Sequence, residues 1–301
     1  MSTNKDTILL LGFGSPKSLR YNDIRRFLNT LFKSKEMYIP QPLRFIISAV
    51  RSFFLLKKYR VLWNNKTKKM RQIADLEKIQ GALQKRVNNP VTLAFLFGPQ
   101  TIQKAVEKTS SLTVIPLFPL ATPLSEAMKK EVKKYAREKK ITFIKSFYDH
   151  PLFLKALASF GFHTKEYDAI LFSFHGMPLS TVAQKCPNYE KECRFIQKEV
   201  SRLLGLDRKK TYLAYQSKFG YGKWTEPSLK DLQDKLYAEG KRKFLIFSPS
   251  FIGENLETLY EIKKMGNNKD IRWDLVPNVA ASPICIDLLQ TLSKDAETCK
   301  E

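Results

Sequence analysis

The sequence predicts an α/β fold: two doubly wound, Rossmann-like domains, each a parallel sheet covered by helices, with an interdomain cleft. Three observations predict it. Apolar strands alternate with helical patterns from end to end. The strands are continuously apolar rather than alternating, which implies burial on both faces. The pattern also runs twice, with a division near residue 150. The expected domains are 1–150, carrying an amphipathic lid segment at 34–63, and 151–301, whose last helix can pack back on the first domain.

The first strand is "TILLLGFG" (7–14), and a Gly-Ser-Pro turn follows it. Helical patterns come next, near 19–33, 43–60 and 68–87. The strand "VTLAFLFG" (91–98) precedes a helix near 99–109, and "LTVIPLFPL" (112–120) precedes one near 123–137. "ITFIKSF" (141–147) closes the first half. In the second half the strands are "YDAILFSF" (167–174), "TYLAYQ" (211–216), "KFLIFSP" (243–249) and "IRWDLVP" (271–277). Helices are expected near 181–204, 228–239, 254–264 and 282–294.

Open parallel sheets bind ligands beyond the carboxyl ends of their strands. Gly14, Gly98, Pro119, His175, Ser217 and Pro249 sit near such ends. The chain has only three histidines, and one of them closes the buried strand "LFSFH", with Gly176 and Pro178 behind it. Held there, the His175 imidazole can accept a proton or ligate a metal near neutral pH. A turn-capping histidine is the plainer alternative. After Pro249 a helix opens with Glu254, Glu257 and Glu261, whose spacing puts them on one helical face. They face the edge that presents His175. Carboxylates and an imidazole together can bind a divalent cation or move protons. A capping carboxylate followed by a solvated face is the alternative. Between these stretches "YQSKFGYGKWTEPS" (215–228) reads as a structured loop, with Lys218 and Trp224 placed to wall a flat aromatic ligand or simply to pack.

Composition narrows the class. The chain has 301 residues, 43 % hydrophobic and 27 % charged, which is globular rather than disordered. Its 52 basic and 29 acidic residues give a net charge of +23, which favours anionic partners without choosing among them. No helix-turn-helix, zinc-finger or RNP pattern supports nucleic-acid binding. The start "MSTNKDTILLLGFG" shows no h-region and cleavage site, and four cysteines are few for a disulfide scaffold. Both point to a cytoplasmic protein. The segment "PLRFIISAVRSFFLLKKYRVLW" (42–63) is broken by Arg44, Arg51, Lys57 and Lys58, so it reads as amphipathic helix rather than membrane span. Its aromatics either pack on the domain or meet an anionic membrane surface, peripherally. "GFGSP" lacks the third glycine of the dinucleotide fingerprint, since Lys17 stands there. The phosphate-loop and H-E-x-x-H motifs are absent. Cys186 and Cys193, seven apart, match no standard zinc spacing.

Three blocks carry a specific resemblance: "SFHGMP", "YQSKFGYGKWTEP" and "SPSFIGENLETLYEI". They resemble the signature blocks of the ferrochelatases, which insert ferrous iron into a porphyrin in haem synthesis. "LLLGFGSP", "FLNTLFKSKEMYIP", "CPNYEKEC" and "VPNVAASP" are similar to further family segments, so the resemblance spans almost the whole chain. It implies a chelatase-like pair of Rossmann-like domains with porphyrin between them. It implies His175 and Glu257 as catalytic residues facing each other across the macrocycle. It also implies His175, Glu257, Glu254 and Glu261 as the metal-handling set. Glu254 stands where family members usually carry aspartate.

The first half departs from the family pattern. Leu96 and Phe97 replace a usual arginine–tyrosine pair, Phe13 stands where some members place a tyrosine toward the metal, and Phe118, Leu120 and Ala121 alter the third strand's end. On the porphyrin side Phe13, Ser15, Phe97, Lys218 and Trp224 are the expected contacts. The family's C-terminal cysteine cluster is absent in spacing, so no iron–sulfur centre and no permanently bound cofactor is expected. Iron is substrate. The resulting expectation is a ferrochelatase acting on a porphyrin dicarboxylate or tetracarboxylate, protoporphyrin IX ahead of coproporphyrin III, as monomer or dimer. The competing reading is a non-catalytic or weakly catalytic tetrapyrrole-binding protein.

Overall fold

Leu9, Leu10 and Leu11 of the first strand, Thr7–Gly14 (β1), have no exposed surface at all, as a strand covered on both faces requires. The computed structural model describes residues 6–34, 39–218, 222–266 and 270–298. After β1 come α1 (Tyr21–Leu31), α2 (Leu43–Leu62), a small hairpin of β2 (Trp63–Asn64) and β3 (Lys69–Met70), and α3 (Arg71–Gln84). Then follow β4 (Val91–Phe97), α4 (Ile102–Glu107), β5 (Ser111–Pro116), α5 (Pro123–Ala136) and β6 (Lys140–Phe143). The strands pair in parallel in the order β4-β1-β5-β6.

The second half runs α6 (Pro151–Ala158), β7 (Ala169–His175), α7 (Leu179–Lys185), α8 (Tyr189–Leu204), β8 (Thr211–Gln216), α9 (Leu229–Ala238) and β9 (Lys243–Phe247). A π-helical segment, Glu257–Ile262, continues into α10 (Lys263–Met265), and β10 (Arg272–Leu275) and α11 (Ile284–Thr298) follow. The second parallel sheet has the order β10-β9-β7-β8. Counting strands within each half, both sheets have the same topology: the second, first, third and fourth strands lie side by side. The connections reverse direction between the first and third strands of each sheet. That reversal is where doubly wound sheets open a crevice.

Two helices differ from the expectation. No helix is expected over "PLFLKALA", just past the division near residue 150, yet it forms α6. Pro151 occupies the first turn, where its missing N–H costs nothing, and His150 Nδ1 accepts from the Leu152 amide at 3.1 Å. The single helix expected over 181–204 is two, α7 and α8. Pro187 cannot continue a helix and pushes Cys186 out of the helical region, to φ −148° and ψ 63°.

One continuous core joins the halves, from Leu10 of β1 to Phe172 and Phe247 of the second sheet, where the two rings stack at 4.7 Å. Helix α11 lies against both α3 and α6. Arg86, just beyond α3, pairs with Asp287, and the Gln290 amide donates to the Arg86 carbonyl at 3.2 Å. Helix α2 has an inverted polarity. Its buried side includes Arg44, Ser48 and Ser52, with Arg44 Nε donating to Asn29 Oδ1 at 3.0 Å. Its outer side exposes Leu43, Ile46, Val50, Phe53, Phe54 and Val61. No helix among the described residues is long and apolar enough to cross a membrane. Of the expected lid, residues 35–38 lie outside the described residues, as do 219–221 of the aromatic loop and Cys299.

Candidate active site

His175 ends β7 at the crevice between β7 and β9. Its backbone is fixed on both sides: the amide donates to Ser250 Oγ at 3.0 Å, and the carbonyl accepts from the buried Tyr189 hydroxyl at 2.6 Å. Gly176 follows because the chain passes close to β8. A Cβ at that position would lie 2.6 Å from the Gln216 carbonyl oxygen, well inside contact distance. The imidazole is packed round by protein, yet 42 % of its side chain remains open to the cleft.

Glu257 begins the π-helical segment and places Oε2 at 2.9 Å from His175 Nδ1. The same oxygen accepts from Gln216 Nε2 at 3.0 Å and Ser217 Oγ at 2.9 Å. Gln216 lies opposite His175 in the β7–β8 register, so pairing alone sets it beside the ring. Ser173, two residues earlier on the same face of β7, donates to Gln216 Oε1 at 2.6 Å. Ser217 follows β8 in the left-handed region at φ 64°. It also reaches Glu261 Oε2 at 3.3 Å. His175, Glu257 and Glu261 thus form one connected group through Ser217.

The electrostatics agree with the geometry. Burial opposes charge on the His175 ring, but the Glu257 carboxylate outweighs it and holds the imidazole above its ordinary value. Burial likewise opposes charge on Glu257. The imidazole and the Gln216 and Ser217 donors outweigh it and hold the carboxyl below the ordinary range. Glu261 is pushed up, by burial first and then by its Glu257 neighbour. The group therefore contains a carboxylate that stays ionised, one that is reluctant to ionise, and an imidazole poised between them. Such a set can take protons from a ligand and offer oxygen and nitrogen donors to a divalent cation.

Glu254 stands apart, contrary to the expected shared face. The helix does not start at residue 254. Asn255 caps it, its Oδ1 accepting from the amides of Glu257 at 2.9 Å and Thr258 at 3.0 Å, while Thr258 Oγ1 accepts from the Asn255 amide at 3.0 Å. This reciprocal box leaves Glu254 before the first turn. Its carboxylate accepts from the Thr258 hydroxyl at 2.7 Å, and it faces Asp75 and Arg71 of α3. Burial raises its pKa. Among the described residues no three His, Cys, Asp or Glu side chains are set as a closed metal cage.

The remaining expected contacts lie at or beyond the ends of β1, β4 and β8. Phe13 packs edge-on to Phe97 at 5.2 Å and Phe27 at 6.3 Å. Phe97 is buried, so only Phe13 of the two is partly open. Ser15 is buried in the turn where Gly98 passes close by. Lys218 is exposed. Trp224 is half-buried and bridges backbone to backbone with Pro178, bracing the turn after His175. Cys186, Cys193 and Cys285 are buried free thiols, and burial raises the pKa of each, that of Cys285 to about 12. Sequence reasoning missed Ser173, Tyr189, Gln216 and Ser250. The only signal for Gln216 was a polar residue closing an apolar strand.

Comparison with known proteins places this geometry. A family model described as ferrochelatase matches residues 5–297. The coproporphyrin III ferrochelatase of Lactococcus lactis subsp. cremoris is 31 % identical over 277 residues, covering 86 % of this chain and 85 % of that protein. A ferrochelatase of Yersinia enterocolitica is 26 % identical over 326 residues, covering 99 % and 100 %. Among solved structures, the sirohydrochlorin chelatase SirB from Bacillus subtilis subspecies spizizenii, in complex with cobalt, aligns with a TM-score of 0.57 at 10 % identity, over 98 % of this chain and 97 % of that one. CbiX, described as the terminal enzyme for biosynthesis of siroheme in denitrifying bacteria, aligns at 0.50 with 12 % identity, over 96 % and 99 %. At these identities the structural likeness is one of fold.

Proposed function

The chain belongs to the ferrochelatase family, and from that premise we propose that it inserts ferrous iron into protoporphyrin IX, using His175 and Glu257 as its catalytic pair. The observation that carries this reading is the 2.9 Å contact between His175 Nδ1 and Glu257 Oε2 at the crevice. A porphyrin must lose two pyrrole protons as the metal enters. With Nδ1–H donating to Glu257, the other ring nitrogen of His175 is the acceptor and takes a pyrrole proton. Glu257, kept ionised by Gln216 and Ser217, stabilises the imidazolium so formed. Glu261 offers a further carboxylate to the arriving iron or departing proton.

Ferrous iron is substrate, and the reaction needs no resident cofactor. The reading of no iron–sulfur centre rests on cysteine spacing, with Cys186 and Cys193 seven apart and Cys285 and Cys299 far along the chain. Two features support protoporphyrin IX over a more carboxylated ring. Leu96 and Phe97 put apolar side chains where the family pattern carries a cation and a hydroxyl. The exposed apolar side of α2 also suits a poorly soluble porphyrin exchanged at an anionic membrane surface. The protein works in the cytoplasm and meets the membrane only peripherally.

The test is anaerobic Fe²⁺ insertion with protoporphyrin IX and coproporphyrin III side by side. Turnover with protoporphyrin IX that is lost in His175→Ala and sharply reduced in Glu257→Gln supports the proposal. Faster turnover with coproporphyrin III overturns the substrate assignment. Porphyrin binding without turnover overturns the enzymatic reading in favour of a tetrapyrrole carrier.

A further inference from the structure

The two edges of the first sheet differ. At β4 the outward backbone groups are taken up by the protein itself. The Val91 amide donates to Gln84 Oε1 at 2.8 Å, its carbonyl accepts from Gln80 Nε2 at 2.9 Å, and the Phe95 amide donates to the Gln100 carbonyl at 2.8 Å. At β6 the edge is open. The Ile144 amide, just past the strand, donates to the Val114 carbonyl of β5 at 2.9 Å. Thr142 therefore faces β5 as well, and the alternate residues Ile141 and Phe143 turn their amides and carbonyls outward. Among the described residues nothing hydrogen-bonds to those groups. Such a row is a template for another strand.

The side chains beside this edge select the kind of strand it takes. Ile141 and Phe143 pack on the face covered by Met128 and Val132 of α5, and both stay only half-buried. With Val132, Lys129 and Lys133 they line a groove of about 220 Å³ between α5 and the edge. Lys129 Nζ lies 5.9 Å from the centroid of the Phe143 ring. Neither Lys129 nor Lys133 makes an ion pair among the described residues. The stretch "KKEVKKYAREKK" (129–140) carries seven basic residues and two acidic ones. Two copies of this chain brought edge to edge would set those charges against each other, which is how lysines keep identical edges from pairing. The same charges attract carboxylates.

We propose that the open edge of β6 is the docking site for an extended, acidic segment of a partner protein, added to the first sheet as a further strand beside β6. Main-chain hydrogen bonds to Ile141 and Phe143 hold the segment in register. Its side chains alternate between the two faces of the sheet. Those on the α5 side lie over the groove, where apolar groups meet Ile141, Phe143 and Val132 and carboxylates reach Lys129 and Lys133. Strand addition of this kind draws affinity from the backbone and specificity from the alternate side chains. The edge belongs to the first sheet and the His175 group to the second, so the two are separate surfaces.

The probe is a fluorescein-labelled peptide alternating glutamate with valine, about eight residues long to match a strand, read by anisotropy with the full chain. It should bind, and more weakly as salt rises. Lys129→Glu with Lys133→Glu should weaken binding about tenfold, as two exposed attractions become repulsions. Ile141→Pro removes an outward amide that β5 does not use, which is where a strand edge tolerates proline. It should weaken binding about threefold, for one net hydrogen bond. Hydrogen exchange of the Ile141 and Phe143 amides should slow in the complex. Thermal melting checks the fold of each variant, and where Ile141→Pro melts early the exchange measurement on the wild-type chain decides the backbone contribution. No binding of the peptide overturns the proposal. Equal affinity for a peptide of the same charge with proline in place of valine also overturns it, as does unchanged exchange, because the lysines alone would then account for binding. Tighter binding of a DNA duplex, lost in the same lysine variant, assigns the patch to nucleic acid. A wild-type dimer that Ile141→Pro dissociates assigns the edge to a second copy. Either result overturns the acidic-segment assignment.

Discussion

The Ser173 hydroxyl donates to Oε1 of Gln216 at 2.6 Å, and this buried bond decides which end of the amide faces Glu257. With the oxygen occupied, the Gln216 nitrogen must point toward the carboxylate, where it donates at 3.0 Å. The pair therefore sets the orientation of a buried group that contacts the Glu257 carboxylate. Gln216→Leu removes the donor and should lower iron insertion about tenfold, since a lost hydrogen bond to a charged, partly buried group is worth on the order of 1–3 kcal/mol. Ser173→Ala leaves the amide present but free to turn, so its loss should be smaller. Initial rates at saturating porphyrin measure both. Equal rates in wild type and Gln216→Leu would show that Ser217 alone suffices to hold Glu257 ionised.

The His175–Glu257 pair carries a pH signature. His175 is held above its ordinary 6.5, so the stability from its charged form is full below pH 6.5 and is lost as pH rises through the folded value. Glu257 is held below its ordinary 4.5, so its contribution is present above pH 4.5 and is lost as pH falls through the folded value. Both contributions are complete between these limits. On the proposed role of His175 as proton acceptor the imidazole must be neutral, so insertion should rise with pH along a limb centred above 6.5. Glu257→Gln removes the main cause of that elevation and leaves burial, which opposes charge on the ring. The residual activity of the variant should therefore have its limb at lower pH. A pH–rate profile of each protein reads this directly, and a limb that does not move would mean that another group controls the rate.

Some of this site was legible in the sequence and some was not, for separable reasons. His175 and Glu257 could be singled out because both follow continuously apolar strands, and strand ends are where parallel sheets place chemistry. Gln216 could not, because its relation to His175 is a matter of strand register, which no single sequence displays. Ser250 and Tyr189 act on the backbone of His175, and a serine in a turn or a tyrosine in a helix carries no mark of that. The break at Pro187 and the helix opened by His150 and Pro151 were different. Their signals are present in the sequence, a proline inside a helical pattern and a proline at a helix start. The placement of Glu254 turned on one residue. Asn255 next to it is the better cap, so the helix starts at Leu256, two residues later than the carboxylate spacing implies.

Glu254 should consequently behave as a structural residue. Its carboxylate accepts from Thr258, whose hydroxyl also serves the Asn255 amide. Glu254→Gln keeps an acceptor for the Thr258 hydroxyl and removes a charge that burial disfavours. The variant should bind Zn²⁺ within about twofold of wild type, because an effect well under 1.4 kcal/mol corresponds to less than a factor of ten. Glu254→Ala leaves Thr258 without that partner and should lower the melting temperature by several degrees, for a loss of about 1 kcal/mol. Calorimetry on both variants, beside a Zn²⁺ titration, makes the comparison. A large loss of metal affinity in Glu254→Gln would return this carboxylate to the metal-handling set.

The outer side of α2 makes the last prediction. Phe53 and Phe54 are 70 % and 67 % exposed, and their rings meet edge-on at 5.9 Å. Leu43, Ile46, Val50 and Val61 extend the same helical face. Such a surface is unfavourable in water, whereas a bilayer interface would accept the aromatics, with Lys57 and Arg60 close enough along the helix to meet anionic headgroups. Full transfer of one such side chain from water is worth roughly 1.5–3 kcal/mol. Phe53→Ser with Phe54→Ser should therefore weaken binding to anionic vesicles by about a hundredfold, taking the lower end of that range for each ring. Insertion of iron into detergent-dispersed porphyrin should be unchanged, since neither ring belongs to the His175 group. Sedimentation with phosphatidylglycerol vesicles, in low and high salt, gives the affinity. Wild-type protein that stays in the supernatant at both salt concentrations would remove the membrane reading and leave the face to a protein partner.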